Sequence, residues 1–199
     1  MPEPFLELVD IRKEYPGVVA LDHVGLSVSP GEVIALIGEN GAGKSTLMRV
    51  LGGVVEPSSG SIRIDGAERP SLTVADAIKA GIAFVHQELN LFDNLDVAAN
   101  VFLGRERRSG PLRLLDLRAM REAARPLLAR VGADFGPEAR VADLSLAERQ
   151  LLEIAKALSI DARIVIMDEP TSSLTLSETR TLMKVIADLK RQGITVIYI

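Results

Sequence analysis

Eight residues limit what this chain can fold into. Gly38-Glu39-Asn40-Gly41-Ala42-Gly43-Lys44-Ser45 fits the pattern G-x-x-x-x-G-K-[ST] at every fixed position. Before it stands Val33-Ile34-Ala35-Leu36-Ile37. This continuous apolar run of strand length suits a strand buried on both faces. After it, Ser45 to Leu51 reads as helix. Strand, glycine-rich loop and helix in this order make a phosphate cradle. The glycines let the backbone turn so that successive N–H groups face one anion, and the helix adds its positive end. Lys44 is placed to reach the β- and γ-phosphates of a nucleotide, and the Ser45 hydroxyl is a ligand for Mg²⁺.

The rest of the chain supplies the sheet that such a loop needs. Leu6 to Val28 reads as short extended pieces, closed by the turn signal Pro30-Gly31. Ser61-Ile62-Arg63-Ile64 alternates and runs into Asp65-Gly66, a hairpin signal. Gly81 to Val85 and Ile164 to Met167 read as buried strands. From about Asn90 to Ala157 the pattern is helical and rich in Leu, Ala and Arg. Ser177 to Arg191 reads as an amphipathic helix that Gly193 stops, and Ile194 to Ile199 as a last strand. Strands at both ends with helices between them imply an α/β fold with a mostly parallel sheet. The expectation is one domain over residues 1–199, with a helical sub-domain at about 90–157. It is expected to continue past Ile199, because a domain seldom stops inside a core strand.

Composition removes several classes of function. There is no cysteine, which excludes disulfide scaffolds, thiolate zinc sites and cysteine nucleophiles. Two histidines, His23 and His86, do not make a histidine-rich metal site. Lys and Arg total 23 against 27 for Asp and Glu, a formal net charge of −4, where nucleic-acid binding favours strongly basic domains. The N-terminal residues lack a basic region followed by an apolar core, so no secretory signal is read there. No apolar run approaches the roughly 18 residues that a membrane span needs, so a membrane role is expected to come through a partner.

A nucleotide hydrolase also needs a carboxylate for Mg²⁺ and a group that orients the attacking water. Asp168 and Glu169 directly follow the apolar strand 164–167. That puts both at a strand's carboxyl end, where open α/β sheets bind ligands. Asp168 is the candidate for Mg²⁺ and Glu169 the candidate general base.

With these residues in place, the chain resembles the ATP-binding subunit of ABC transporters, from Tyr15 to Ile199. Gly38 to Ser45 is similar to the family's Walker A segment and Ile164 to Asp168 to its Walker B segment, with Glu169 as the catalytic glutamate. Gln87 resembles the glutamine that touches both metal and attacking water, and Leu144-Ser145-Leu146-Ala147-Glu148 lies where the LSGGQ signature belongs. Ser172-Ser173-Leu174-Thr175 is similar to the D-loop, and Tyr15 to the aromatic that stacks on adenine. The resemblance implies a P-loop NTPase fold with an N-terminal antiparallel part beside the parallel core sheet. It implies ATP and Mg²⁺ as ligands. Gly38, Glu39, Asn40, Gly41, Ala42, Gly43, Lys44, Ser45 and Thr46 would hold the nucleotide, with Ser45, Gln87 and Asp168 around the metal. Ser145 and Ala147 would face the ATP of a partner domain. ALIGENGAGKSTLM, GIAFVHQELNLF, NVFLGRE and LLEIAKALS are similar to the ATPases of bacterial monosaccharide importers. That group implies a second ABC domain (in tandem or as a dimer), transmembrane permease subunits and, indirectly, a periplasmic sugar-binding protein. It places the protein in the cytoplasm, peripheral on the inner face of the membrane.

Two departures stand out. The two glycines of the signature are Leu146 and Ala147 here, and its glutamine is Glu148. A side chain at 147 is expected to crowd a close backbone approach, and Glu148 to place negative charge beside a phosphate, while Ser145 is expected to cap the following helix. The family's switch histidine is expected beyond Ile199. The competing reading is a soluble ABC ATPase acting on nucleic acid or in translation. The interval from Lys44 to Ser145 carries no sustained heptad pattern, and the importer-like segments argue against that reading. A pure nucleotide sensor is disfavoured by Glu169. The arginines between Arg105 and Arg130 read as the solvated face of the helical part, and Leu89, Leu91 and Phe92 as candidates for a groove that accepts a permease helix.

Overall fold

The computed structural model describes residues 4–86, 89–170 and 174–199. In chain order its elements are β1 (Leu6–Tyr15), β2 (Val18–Val28), β3 (Val33–Ala35), α1 (Lys44–Leu51), β4 (Ser59–Ile64), β5 (Ala67–Arg69), α2 (Val74–Lys79), β6 (Ile82–Val85), α3 (Val97–Val101), β7 (Arg108–Ser109), β8 (Leu114–Leu115), α4 (Leu117–Arg130), α5 (Leu146–Leu158), β9 (Ile164–Met167), α6 (Leu176–Arg191) and β10 (Thr195–Tyr198). They fall into two compact units. One is Met1–Phe84 with Ala162–Met167 and Leu189–Ile199, and the other is Val85–Asp161 with Asp168–Asp188.

The first unit holds two sheets. One is antiparallel, in the order β2-β1-β4-β5, and the other runs β3-β10-β9-β6 with β10 parallel to both β3 and β9. The fold is therefore α/β, with both the antiparallel part and the parallel sheet expected above. The turn between β4 and β5 is Asp65-Gly66, with φ of 48° and 78°. Two consecutive positive φ values match the right-handed twist of the paired strands, which is why Asp-Gly serves here. Leu6, Leu8, Ile11, Leu51, Ile62 and Ile166 belong to one buried cluster that draws on both sheets and α1. The apolar run at 33–37 departs from expectation. β3 covers only Val33–Ala35, Val33 is 43% exposed and Ile37 is 94% exposed. The reason is position: among the described residues β3 is an edge strand, with β10 as its one neighbour. β9 is buried at all four positions, as its apolar run predicts.

The second unit is mainly helical. α3, α4 and α5 pack together through Val101, Met120, Ala124, Leu128, Leu152 and Ile154, all buried. Each helix has a side-chain cap: Asp96 accepts from the Ala99 amide and Asp116 from the Ala119 amide, while Ser145 accepts from the Glu148 amide. Asn100 is fully buried. Its amide nitrogen donates to the Phe92 and Asp96 carbonyls and its oxygen accepts from the Phe92 amide. That side chain pins the segment before α3 without leaving a polar atom unpaired.

Candidate functional site

The phosphate loop forms as its sequence requires. Gly41 and Gly43 both have φ of 86°, a region open to glycine at no steric cost. Gly43 is needed twice over. A Cβ there would lie 2.3 Å from the Ala20 carbonyl oxygen and 3.0 Å from the Leu21 side chain. The same contact sets β2 directly against the loop. Gly43 is the N-cap of α1, with no side-chain cap and no acidic residue in the first turn. The amides at that end therefore carry no side-chain cap, with the helix dipole behind them. Lys44 folds over its own loop, donating to the Gly38 carbonyl at 2.6 Å and the Glu39 carbonyl at 2.9 Å. In the first turn, Ser45 and Thr46 follow directly on Lys44.

Tyr15 ends β1 opposite Val18 of β2, the strand that reaches Gly43 through Ala20. The Tyr15 ring, 37% exposed, has the Lys13 ammonium 5.2 Å from its centroid. Lys13 is a residue that motif reading misses. Strand alternation is the signal that finds it, since positions 13 and 15 share a face.

The sheet aligns three strand ends. Ala35 pairs with Tyr198 and Tyr198 with Met167. Leu36 donates to Tyr198 and Ile199 to Met167, so the ladder continues one residue further. β3 and β9 therefore end level, one running into the phosphate loop and the other into Asp168 and Glu169. The Asp168 amide donates to the Val85 carbonyl at 3.1 Å. Glu169 is exposed, with φ of 42°. A glutamate held in the left-handed region carries backbone strain of about 1–3 kcal/mol, of the kind found at functional sites. Gln87, Ser172 and Ser173 lie outside the described residues.

At the signature, Ser145 caps α5 as predicted, and Glu148 closes the cap. The Ser145 amide and hydroxyl donate to one Glu148 carboxylate oxygen at 2.7 and 2.6 Å, and the Glu148 amide returns a bond to the hydroxyl at 3.3 Å. α6 starts with the same device, Thr175 and Glu178. Hydrogen bonds from the Thr175 hydroxyl, then its amide, hold the Glu178 carboxyl below its ordinary range. A cavity of about 220 Å³ is lined by Ala147, Glu148, Gln150, Leu174 and Glu178 among others. Gln150 is buried there, and its amide nitrogen has no partner among the described residues.

Strand, glycine-rich loop and helix in this order define a P-loop nucleotide-binding protein. The family model for ABC transporters matches residues 21–172, and the chain belongs to that family. It is 49% identical over 198 residues to a Pseudomonas fluorescens protein whose name includes the words ribose/galactose/methyl galactoside import ATP-binding protein. The match covers 99% of this chain and 38% of that one. It is 46% identical over 196 residues to a ribose import ATP-binding protein of Clostridium perfringens, covering 98% and 39%. The chain thus spans well under half the length of these relatives. A solved nucleotide-free ATP-binding cassette of an ABC transporter superposes with a TM-score of 0.85 at 24% identity, over 98% of this chain and 80% of that one. A dimeric ATP-binding cassette bound to ADP and Pi superposes with a TM-score of 0.77 at 26% identity, covering 97% and 86%.

Proposed function

We propose that this chain is the nucleotide-binding part of an ATPase that powers import of a monosaccharide or a similar small polar solute. The observation that carries the reading is the α1 end. Its amides face no carboxylate of their own, and Lys44 stands over the loop they border. The similarity to proteins named for sugar import gives the direction of use.

In this reading Tyr15 stacks on the adenine. The amides of Gly38 to Thr46 take the phosphates, and Lys44 exchanges its two carbonyl partners for phosphate oxygens. Ser45, Asp168 and Gln87 offer a hydroxyl, a carboxylate and an amide oxygen, a donor set that suits a hard cation such as Mg²⁺. Among the described residues no cluster of three or more His, Asp or Glu holds a metal by itself, so phosphate oxygens would complete the shell. When bound, the ion neutralises charge on those oxygens. Glu169, with Gln87, orients water in line with the γ-phosphate. Positioning and charge stabilisation supply most of the rate.

A second ABC domain, in tandem or as a dimer, presents its own signature to this nucleotide, while Ser145 and Ala147 face the partner's. Permease subunits receive the motion, a periplasmic sugar-binding protein delivers solute, and the ATPase sits peripherally on the cytoplasmic face. The names of the relatives do not favour the nucleic-acid alternative.

The test is Mg²⁺-ATP binding by calorimetry on the full-length protein, with ATPase assayed on the same samples. Lys44→Ala is expected to weaken binding strongly at the site this chain forms, and Glu169→Gln to leave binding while removing turnover there. A folded wild type, verified by thermal melt, that binds no ATP overturns the reading.

A further inference from the structure

The finger formed by β7 and β8 carries exposed leucines on its loop and second strand, with arginines beside them on the loop and first strand, and is unpacked on both faces. Gly110 and Arg113, with φ of 72° and 50°, close its loop, and the Asp116 amide bonds the Arg107 carbonyl at its base. Leu112, Leu114 and Leu115 are 79, 65 and 53% exposed. Leu114 and Leu115 are successive strand residues and therefore point to opposite faces. Both are exposed, so neither face of the finger rests on its own unit. A two-stranded hairpin is marginal in water by itself, and this one holds its leucines in solvent.

The arginines divide into two groups. Arg118, Arg121 and Arg125 pair with Glu122, Asp96 and Glu138, and Arg105 donates to Ser159 and the Val101 carbonyl. These belong to the fold. Arg107, Arg108 and Arg113 form no salt bridge among the described residues, although Arg107 lies over the Phe102 ring and Arg108 attracts the nearby Glu106 carboxylate. These cations therefore coincide with the exposed leucines, in a chain whose net charge is −4.

We infer that this finger inserts its leucines into the interface of a membrane rich in anionic phospholipid, with Arg107, Arg108 and Arg113 among the headgroups. A flat protein surface would cover one face of a hairpin, whereas the apolar layer of a membrane receives both. Arginine side chains keep their charged ends in the headgroup layer while their stems lie along apolar surface. RNA is disfavoured because residues 107–117 hold no aromatic side chain on which a base can stack.

The test is co-sedimentation of the full-length protein, without nucleotide, with vesicles of phosphatidylcholine alone or with about one-third phosphatidylglycerol. Binding is expected to the anionic vesicles only, weakening as salt rises. Each arginine changed to Gln is expected to lower the partition coefficient about fivefold, and the triple change Leu112→Ser, Leu114→Ser, Leu115→Ser to abolish binding. These side chains are exposed, so ATPase activity in vesicle-free solution should not change. Residues 1–199 contain no tryptophan, so Leu112→Trp gives a reporter read against the parent. Its emission should shift to the blue with anionic vesicles. Four results each overturn the inference: no sedimentation, sedimentation unchanged in the leucine triple variant, binding that appears only when permease subunits are in the vesicle, or an unshifted emission from the Leu112→Trp variant. The assay contains no nucleotide, so its failure leaves the ATPase reading standing.

Discussion

The N-termini of α1 and α5 offer the same orphan amides and opposite chemistry. α1 begins at Gly43, in the left-handed region, with no side-chain cap and no acid in its first turn. α5 begins at Ser145, in the extended region, with its amide and hydroxyl already engaged by Glu148. A helix start attracts anions through its dipole and its orphan N–H groups. A carboxylate from the chain itself uses up both. The start of α1 is thus left without a side-chain cap, as the proposed phosphate site requires, whereas the start of α5 is satisfied by Glu148.

Breaking the α1 end should have the largest effect. Gly43→Ala must move the Ala20 carbonyl or abandon φ of 86°. It should cost about 2–4 kcal/mol in stability by denaturant melt and remove nucleotide binding at this site. Lys44→Ala should leave the melt near wild type and weaken ATP binding there at least about 100-fold by calorimetry.

The α5 end should respond in the other direction. Glu148→Gln keeps acceptors for Ser145 but removes the charge. In the full-length protein it should raise ATPase at subsaturating ATP about two- to fivefold. Ala147→Gly should act in the same sense by permitting closer backbone approach. No change in either variant would show that the closed cap is no obstacle to a partner's nucleotide.

The capping glutamate of α6 sharpens the contrast through pH. Glu178 titrates below its ordinary value because Thr175 bonds its ionised form. A lowered carboxyl pKa stabilises the fold fully above the ordinary glutamate value, and that contribution is lost as pH falls through the lowered one. Glu178→Gln should therefore melt below wild type at pH 7, and the gap should close in acid. The smallest effect is expected at Arg163, which forks onto Asp65 at 2.7 and 2.8 Å and lies 4.3 Å from the Phe5 ring centroid. Partly exposed pairs of this kind contribute about 0.5–1 kcal/mol, so Arg163→Ala should lower the melt slightly and leave nucleotide binding intact.

Much of the site is legible in the chain because its chemistry is local. The fixed positions from Gly38 to Ser45 specify a loop, an amide cradle and a helix start within eight consecutive residues. The apolar run 164–167 followed by two acids places a carboxylate pair at a strand end with no long-range information. Ser145 with Glu148 three residues on spells a capping box, although the resemblance to LSGGQ directs attention to what Glu148 would do to a phosphate. The folded chain shows the prior commitment of that carboxylate to Ser145. The apolar run 33–37 misleads for a different reason. Its composition fits a strand covered on both faces, but exposure also depends on lateral cover, and β3 has β10 alone beside it among the described residues.

Local sequence was sufficient for the P-loop motif, the strands at 82–85 and 164–167, the position of two acids after β9 and the family, because each depends on residues a few positions apart. It missed α2 and the β7–β8 hairpin, which lies inside the stretch 90–157 that reads as helical. Tertiary structure decided the level alignment of β3 and β9 through β10, the approach of Ala20 to Gly43, the edge position of β3 among the described residues and the exposure of both faces of the β7–β8 finger. Each of these depends on partners tens of residues away, or on the lack of a packed face, and neither periodicity nor spacing encodes that.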